Sequence, residues 1–396
     1  MNSIRNKILL AIALVTLPPM LVLGWYGGDQ VEKALREQGL QRLDTRINGL
    51  SAQMDKVLSG TDGDLLLLAD APSLSQYWLA LDSGDAVLIE AAKKNLAQTF
   101  TRLLQIRGNY HQVAYLDATG MEKIRAQRGA GDSIMITPET RLENNASRAL
   151  YTEANKLQRS KVHVTPIELN RVSGKLEEPH RPVIHYSTPV FDASSRKRGV
   201  LEITVNARPM LELVAAAPEQ GETLLLVDAS GAYLSHPDKD KEWGGTNDLG
   251  TAHNLATDYP RLSAAVLSAK GPLHDESAEM ITIARPIPVP GVPDRQLGVL
   301  VDMMPSNVLY ASARRLRNNF WILTGGALAF ALIVGAAVAY YITRPISALT
   351  VAVDRMSRGE LEEPIRVTSG DEMQKLAEAM ERLRKSMKLM LDKFED

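Results

Sequence analysis

The chain has 396 residues, is 45% hydrophobic and 23% charged, and carries a formal net charge of −2. That length holds two or three domains, and a near-neutral balance without a Lys/Arg cluster interleaved with aromatics excludes a nucleic-acid-binding surface of the usual kind. There are no cysteines, which excludes disulfides and thiolate metal sites and accords with a bacterial periplasm.

The first element is an apolar run from Ile8 to about Leu23, preceded by Arg5 and Lys7. It has the start of a signal peptide, but Leu23-Gly24-Trp25-Tyr26-Gly27-Gly28 makes a poor cleavage site. Trp25 and Tyr26 suit an interfacial anchor, so the run is read as an uncleaved membrane helix that Pro18 and Pro19 kink. A second run, Phe320 to Ile342, contains no charge and is long enough to cross a bilayer, which takes about 20 helical residues. Arg5, Lys7 and Arg344 place both termini inside. Arg314, Arg315 and Arg317 count against that orientation, but the positive-inside rule weakens beside long exported segments.

Between the two runs, residues 27–70 are expected to form a long stalk helix, with Leu40, Leu43, Ile47, Leu50, Met54, Val57 and Leu58 at helical spacing. The stripe suits either a second copy of the helix or the domain that it supports. Beyond it the sequence repeats itself. Residues 113–123 and 224–234 each read as an apolar strand, Asp-Ala-Thr/Ser-Gly, and a returning strand, a hairpin signal. A second pair follows in the same order: Ser187-Thr188-Pro189-Val190 with Gly199-Val200-Leu201-Glu202-Ile203, then Arg285-Pro286-Ile287 with Gly298-Val299-Leu300-Val301-Asp302. Two tandem antiparallel α/β modules are predicted, 71–210 and 211–305, breaking near Met210–Glu222.

Three stretches carry a family resemblance. They are Glu122-Lys123-Ile124-Arg125; Val162 through Asn170, Gly174 through Pro179 and Pro182-Val183-Ile184; and Tyr233 through Asp238 with Lys241-Glu242-Trp243-Gly244. From about Gln30 to Pro305 the chain resembles the double Cache sensors of histidine kinases, chemoreceptors and diguanylate cyclases. The resemblance implies two stacked PAS-like modules on a long N-terminal helix, with a ligand in the membrane-distal one.

Past a connecting helix at 306–319 and the span at 320–342, residues 343–396 form a relay. Pro345 suits the first turn of a helix. Ile346, Leu349, Val353 and Met356 then step by helical intervals. After Gly359, Leu361, Pro364, Ile365, Val367 and Gly370 comes a heptad seam of Met373, Leu376, Met380, Leu383, Met387, Met390 and Phe394. A first helix of about 20 Å and a linker able to reach about 40 Å allow the two helices to run parallel. Two such seams need a homodimer to bury them. The tail resembles a HAMP domain, a parallel four-helix coiled coil, in its proline, its Gly359-Glu360-Leu361 start and Asp371-Glu372; Gln374 departs from that pattern. Relay positions are Pro345, Leu349, Val353, Met356, Glu372, Leu376, Met380 and Leu383. No kinase, cyclase or chemoreceptor output motif follows, so the effector is either a separate protein or a part cut from this chain.

Catalysis finds no support. His236 and Asp238 flank a proline in a loop read as self-capping; His180 and His185 bracket Arg181 to Ile184 with His163 as the one further histidine nearby, a conceivable zinc set, but no metal site is expected. No cofactor is expected. Candidate ligand contacts are the polar residues on apolar elements of the distal module: Arg125, Arg148, Tyr151, Asn170, His185 and Thr188. Arginine beside hydroxyl donors suits a carboxylate. Strand alternation sets His185 and Thr188 on opposite faces, and the Arg-x-Trp-Tyr arrangement of amino-acid-binding double Cache sensors is absent. The expected protein is an α+β, two-pass inner-membrane receptor with residues 27–319 periplasmic. It is homodimeric, senses an organic acid or similar small solute, and signals to a kinase, cyclase or chemotaxis-type effector. The alternative is a co-receptor that docks a periplasmic protein without a small ligand.

Overall fold

The computed structural model describes residues 4–219, 221–245, 248–277, 279–289 and 292–395. The side chains of Arg5 and Phe394, invoked above for orientation and for the seam, lie outside what is described. Two compact units are present: residues 39–309, and residues 1–38 with 310–396.

The first helix, α1 (Ile4–Leu58), continues through Pro18 and Pro19. It stops short of the expected 70, because Gly60 adopts φ +82° and α2 (Thr61–Ala69) starts anew. Within unit 39–309 the stripe of Leu43, Ile47, Leu50, Met54 and Leu58 is buried, so this segment packs on the domain that it supports. α3 (Pro72–Ser83) and α4 (Ala86–Ile106) follow. Asp85 caps α4 by accepting from the backbone N–H groups of Val87 and Leu88, at 2.8 and 3.2 Å. Leu96, Ala97, Phe100 and Leu104 then form its buried face.

The distal sheet has seven strands: β1 (Tyr110–Asp117), β2 (Glu122–Arg128), β3 (Ile134–Ile136), β4 (His163–Val164), β5 (Glu168–Leu169), β8 (Pro182–Phe191) and β9 (Lys197–Asn206), with β6 (Arg171–Val172) and β7 (Lys175–Leu176) as a separate ribbon. Its order is β3-β2-β1-β9-β8-β4, and β5 also pairs with β8. A short α5 (Ala149–Asn155) lies before β4, and α6 (Arg208–Ala216) leads to the proximal module. There β10 (Thr223–Val227), β11 (Tyr233–Ser235), β12 (Leu273–Glu276), β13 (Met280–Val289) and β14 (Val292–Pro305) order as β11-β10-β14-β13-β12, with α7 (Leu255–Asp258) and α8 (Pro260–Ser268) inserted.

The internal repeat is physical. Asp117 Oδ1 accepts from Thr119 N, Thr119 Oγ1 and Met121 N; Asp228 Oδ1 accepts from Ser230 N, Ser230 Oγ and Ala232 N. Gly120 and Gly231 close these turns at φ +84° and +88°. In both modules the strand that returns last pairs beside the turn strand, β9 on β1 and β14 on β10.

In the other unit, α9 (Ser306–Leu309) having ended before it, α10 (Ala311–Ser357) is one helix through the second apolar run and beyond. The expected separate connecting helix and the fresh start at Pro345 are therefore corrected: Pro345 sits inside α10, where its missing N–H removes one bond without ending the helix. Gly24 meets Thr324, and Gly335 meets Ile12, at distances that leave no room for a Cβ without displacement. α10 and α1 are each long and apolar enough to cross a membrane, and α10 exposes Ile322, Leu323, Phe330 and Ile333.

α11 (Glu372–Glu395) runs parallel to the end of α10. Tyr341, near the start of that segment, donates to Ser369 O just before α11 at 3.0 Å. Leu361 is buried in the linker, and its carbonyl accepts from Arg384 Nη1. Glu381 accepts from Ile365 N at 2.9 Å and pairs with the same arginine. Gln374, the departure noted above, accepts from Gly370 N at 3.0 Å and so closes the linker onto α11. Leu349 and Met356 are buried, whereas Val353, Leu376 and Leu383 remain exposed in the single chain and Met380 half-exposed; Glu372 opens α11 at its positive end.

Candidate functional site

The distal module encloses a cavity of about 390 Å³, within the range of small-ligand sites. β1 and β2 supply His111, Gln112, Glu122, Arg125 and Arg128; the segment after β3 supplies Thr137, Arg141 and Glu143; Arg148 precedes α5; Asn170, Arg171, Glu177 and Arg181 come from the β5–β8 region, and His185 from β8. Among the described lining residues six arginines face three glutamates, and the only aromatic rings are two imidazoles.

Much of this charge is spent on the fold. Arg125 donates to Glu122 Oε2 at 2.9 Å, Thr137 Oγ1 at 3.0 Å and Arg141 O at 2.9 Å. Glu122 also accepts from Glu143 N and Asn145 Nδ2, both at 3.0 Å. This pair fastens segment 137–145 to β2, and burial raises the Glu122 carboxyl above its ordinary value. Arg128 is committed to Asp132 and to the carbonyls of Tyr110, Leu104 and Arg107. Asn170 and Arg181 share Glu177, at 2.9 and 3.1 Å, which shapes the 170–181 loop, and Glu143 accepts from Ser173 N to tie the two loops together.

The cavity floor is built on His185, which is 1% exposed. Its Nδ1 lies 2.6 Å from Glu202 Oε1 and its Nε2 3.3 Å from Glu168 Oε1, with Arg148 Nη2 also at 3.3 Å. Burial opposes a charged ring, but the bonds to Glu168 and Glu202 outweigh it and raise the His185 pKa. Burial likewise opposes the Glu202 charge, and the His185 bond holds it below the ordinary carboxylate value. His111 differs: burial, then Arg181, pushes it down to about 4, so the ring is neutral, and its buried Nδ1 has no partner among the described residues. Arg141 also lines this space, and its side chain has no ion pair among the described residues.

Of the six sequence candidates, Arg125, Arg148, Asn170 and His185 line this cavity. Tyr151 does not: it packs with Ala114, Leu116, Leu150, Ala154 and Val200, and its hydroxyl donates to Ala118 O at 2.7 Å. Thr188, on the other face of β8, donates to Lys161 O at 2.8 Å. His111, Arg141, Arg181 and Glu177 were not among the candidates. His236 Nδ1 accepts from Asp238 N at 2.9 Å, a self-capped loop.

The family described as bacterial histidine kinase, sensor domain, matches residues 85–281, and the HAMP domain family matches 337–388. Neither domain is catalytic. No curated protein matches the chain. Among solved structures, the extracellular domain of vpHK1S-Z8, named a histidine kinase, is 20% identical, with 73% of this chain and 99% of that one covered and a TM-score of 0.58. A domain of a sensory box/GGDEF family protein from Vibrio parahaemolyticus is also 20% identical, covering 70% and 99%, with a TM-score of 0.57. At that identity the likeness is one of fold. The chain thus joins a sensor domain of the bacterial histidine-kinase type to a HAMP domain, the make-up of a sensory receptor.

Proposed function

We propose that this receptor spans the bacterial inner membrane twice, with residues 27–319 in the periplasm, and that its distal cavity takes a small, non-aromatic organic anion. The observation that carries the reading is the excess of arginine over glutamate in a cavity whose described lining holds no Phe, Tyr or Trp, where Arg141, Arg148 and His111, whose buried Nδ1 has no partner among the described residues, are the groups least committed to the fold. A di- or tricarboxylate offers acceptors to the arginines, and a hydroxyl offers a hydrogen bond to His111. The ligand acts by its differential affinity for two states. α10 carries that difference to a dimeric HAMP bundle, where the exposed Val353, Leu376 and Leu383 meet a second copy. A cytoplasmic effector of kinase, cyclase or chemotaxis type reads it.

The test is a thermal-shift and calorimetric screen of the full chain in lipid nanodiscs against carboxylates, amines and purines. Carboxylates are expected to stabilise it. Arg148→Ala is expected to weaken the best of them by at least about tenfold, the value of one charge-assisted hydrogen bond. Tyr151→Phe and Thr188→Val leave affinity unchanged. Hits confined to amines or purines, or carboxylate hits indifferent to Arg148→Ala together with Arg141→Ala, would overturn the reading.

A further inference from the structure

The proximal module holds a second buried cluster, unconnected with the cavity. Asp302 on β14 is 1% exposed, and the Glu222 side chain just before β10 is 0% exposed. Leu224 pairs with Asp302, so Glu222, two residues earlier, lies on the same face as Asp302 and diagonal to it, where its charge and hydrogen bonding bear on the Asp302 carboxyl. Two carboxylates cannot share a hydrogen bond without a proton between them. Among the described residues the cation paired with them is the partly buried Arg46 of α1, whose Nη1 is 2.6 Å from Glu222 Oε2 and 3.8 Å from Glu219. Arg46 Nη2 and Asp302 Oδ1 are each buried and unpartnered among the described residues.

The neighbouring charged groups of this face have partners of their own. Glu219 is held by the exposed Arg42 at 2.5 Å. His274 on β12 contacts Asp44 at 2.9 Å, and Arg285 on β13 donates to Asn48. Directly opposite Asp302, β13 presents the apolar Ile283 and β10 presents Leu224. Burial, then the Glu222 charge, pushes Asp302 up to about 8.

We propose that Asp302, Glu222 and Arg46 form a proton-operated latch between α1 and β14. With the proton in place, Asp302 donates to Glu222, Arg46 holds Glu222, and α1 stays docked. Without it, one guanidinium must serve two buried carboxylates. The contact then loosens, or Arg46 turns its unspent Nη2 toward Asp302. α1 is the helix that begins at Ile4, and β14 ends at Pro305, immediately before α9 and α10, so the latch joins the two chain segments that lead to the apolar helices. It makes the receptor responsive to external pH independently of any ligand.

Opening the latch exposes Asp302 to water, where it returns to an ordinary carboxylate and releases its proton. Raising pH therefore favours opening, by up to about tenfold per pH unit, until the closed state also loses the proton near 8. The experiment is amide hydrogen exchange of residues 42–48 in the full chain in nanodiscs from pH 6 to 9, corrected for intrinsic exchange. The expected wild-type opening rises with pH and levels off near 8. Asp302→Asn, which keeps the hydrogen bond to Glu222 without the titration, flattens it. Glu222→Gln moves the plateau to lower pH. His274→Gln, which removes the neighbouring imidazole contact to Asp44, leaves the pH dependence in place. A flat wild-type profile, or a slope that survives in Asp302→Asn, would overturn the latch.

Discussion

Replacing Arg125 by alanine is expected to lower the melting temperature of the sensor domain by on the order of 10 °C, whatever the ligand. The residue drew attention as a carboxylate clamp, and it does line the cavity. Its hydrogen bonds, however, go to Glu122, Thr137 and the Arg141 carbonyl. Removing it strands Glu122, which is 2% exposed, and frees segment 137–145. Breaking one side of a buried ion pair costs about 3–5 kcal/mol, because the orphaned charge has no water to turn to. Each kcal/mol moves a domain of this size by roughly 2–4 °C. The control is Glu122→Gln with Arg125→Met, which removes both charges and should recover much of the loss. Differential scanning calorimetry of the three variants decides the matter: a single Arg125→Ala that melts with the wild type would show that the pair is not the fastening described.

The same residue shows how far the sequence could be read. Arginine and glutamate three residues apart on a strand are visible in the sequence, but the loop that saturates the arginine is defined only once residues 137–145 fold back over β2. The apolar runs, the Asp-Ala-Thr/Ser-Gly turns and the heptad seam were legible because each depends on local period or on a glycine that the turn requires. His111 was not legible. Strand alternation permits only one of two neighbours to face a cavity, yet His111 and Gln112 both line it, because β1 carries a register shift between Tyr110 and Gln112. Tyr151 failed for the opposite reason: a helix of seven residues gives too short a pattern to show which side its ring takes. Pro345 misled because a proline suits a first helical turn equally well when the preceding helix simply continues.

Gly199→Ala is expected to prevent the distal module from folding, a loss of at least about 4 kcal/mol, and the argument comes from the duplication. Gly199 sits where β9 passes the end of β1. A Cβ there would lie 2.0 Å from the Leu116 carbonyl oxygen and 3.0 Å from Asp117 Cα, all of it rigid backbone, and φ is +144°. Neither strand can yield, since Leu116 and Asp117 lead into the hydrogen-bonded turn at Gly120 and the β1–β9 ladder runs the length of the sheet. Gly298 holds the same place in the proximal module, with a Cβ 2.5 Å from the Val227 oxygen and a φ that other residues adopt freely. The two modules therefore need glycine for one shared reason, a close crossing of the last strand over the turn strand, and Gly199 carries an added conformational demand. Gly298→Ala should thus be damaging but less so, with the proximal module loosened while the distal one stays intact. Limited proteolysis of both variants reads this order directly: equal resistance of Gly199→Ala and the wild type would mean that the crossing is looser than 2.0 Å implies, and that the strand order of the two sheets does not rest on these glycines.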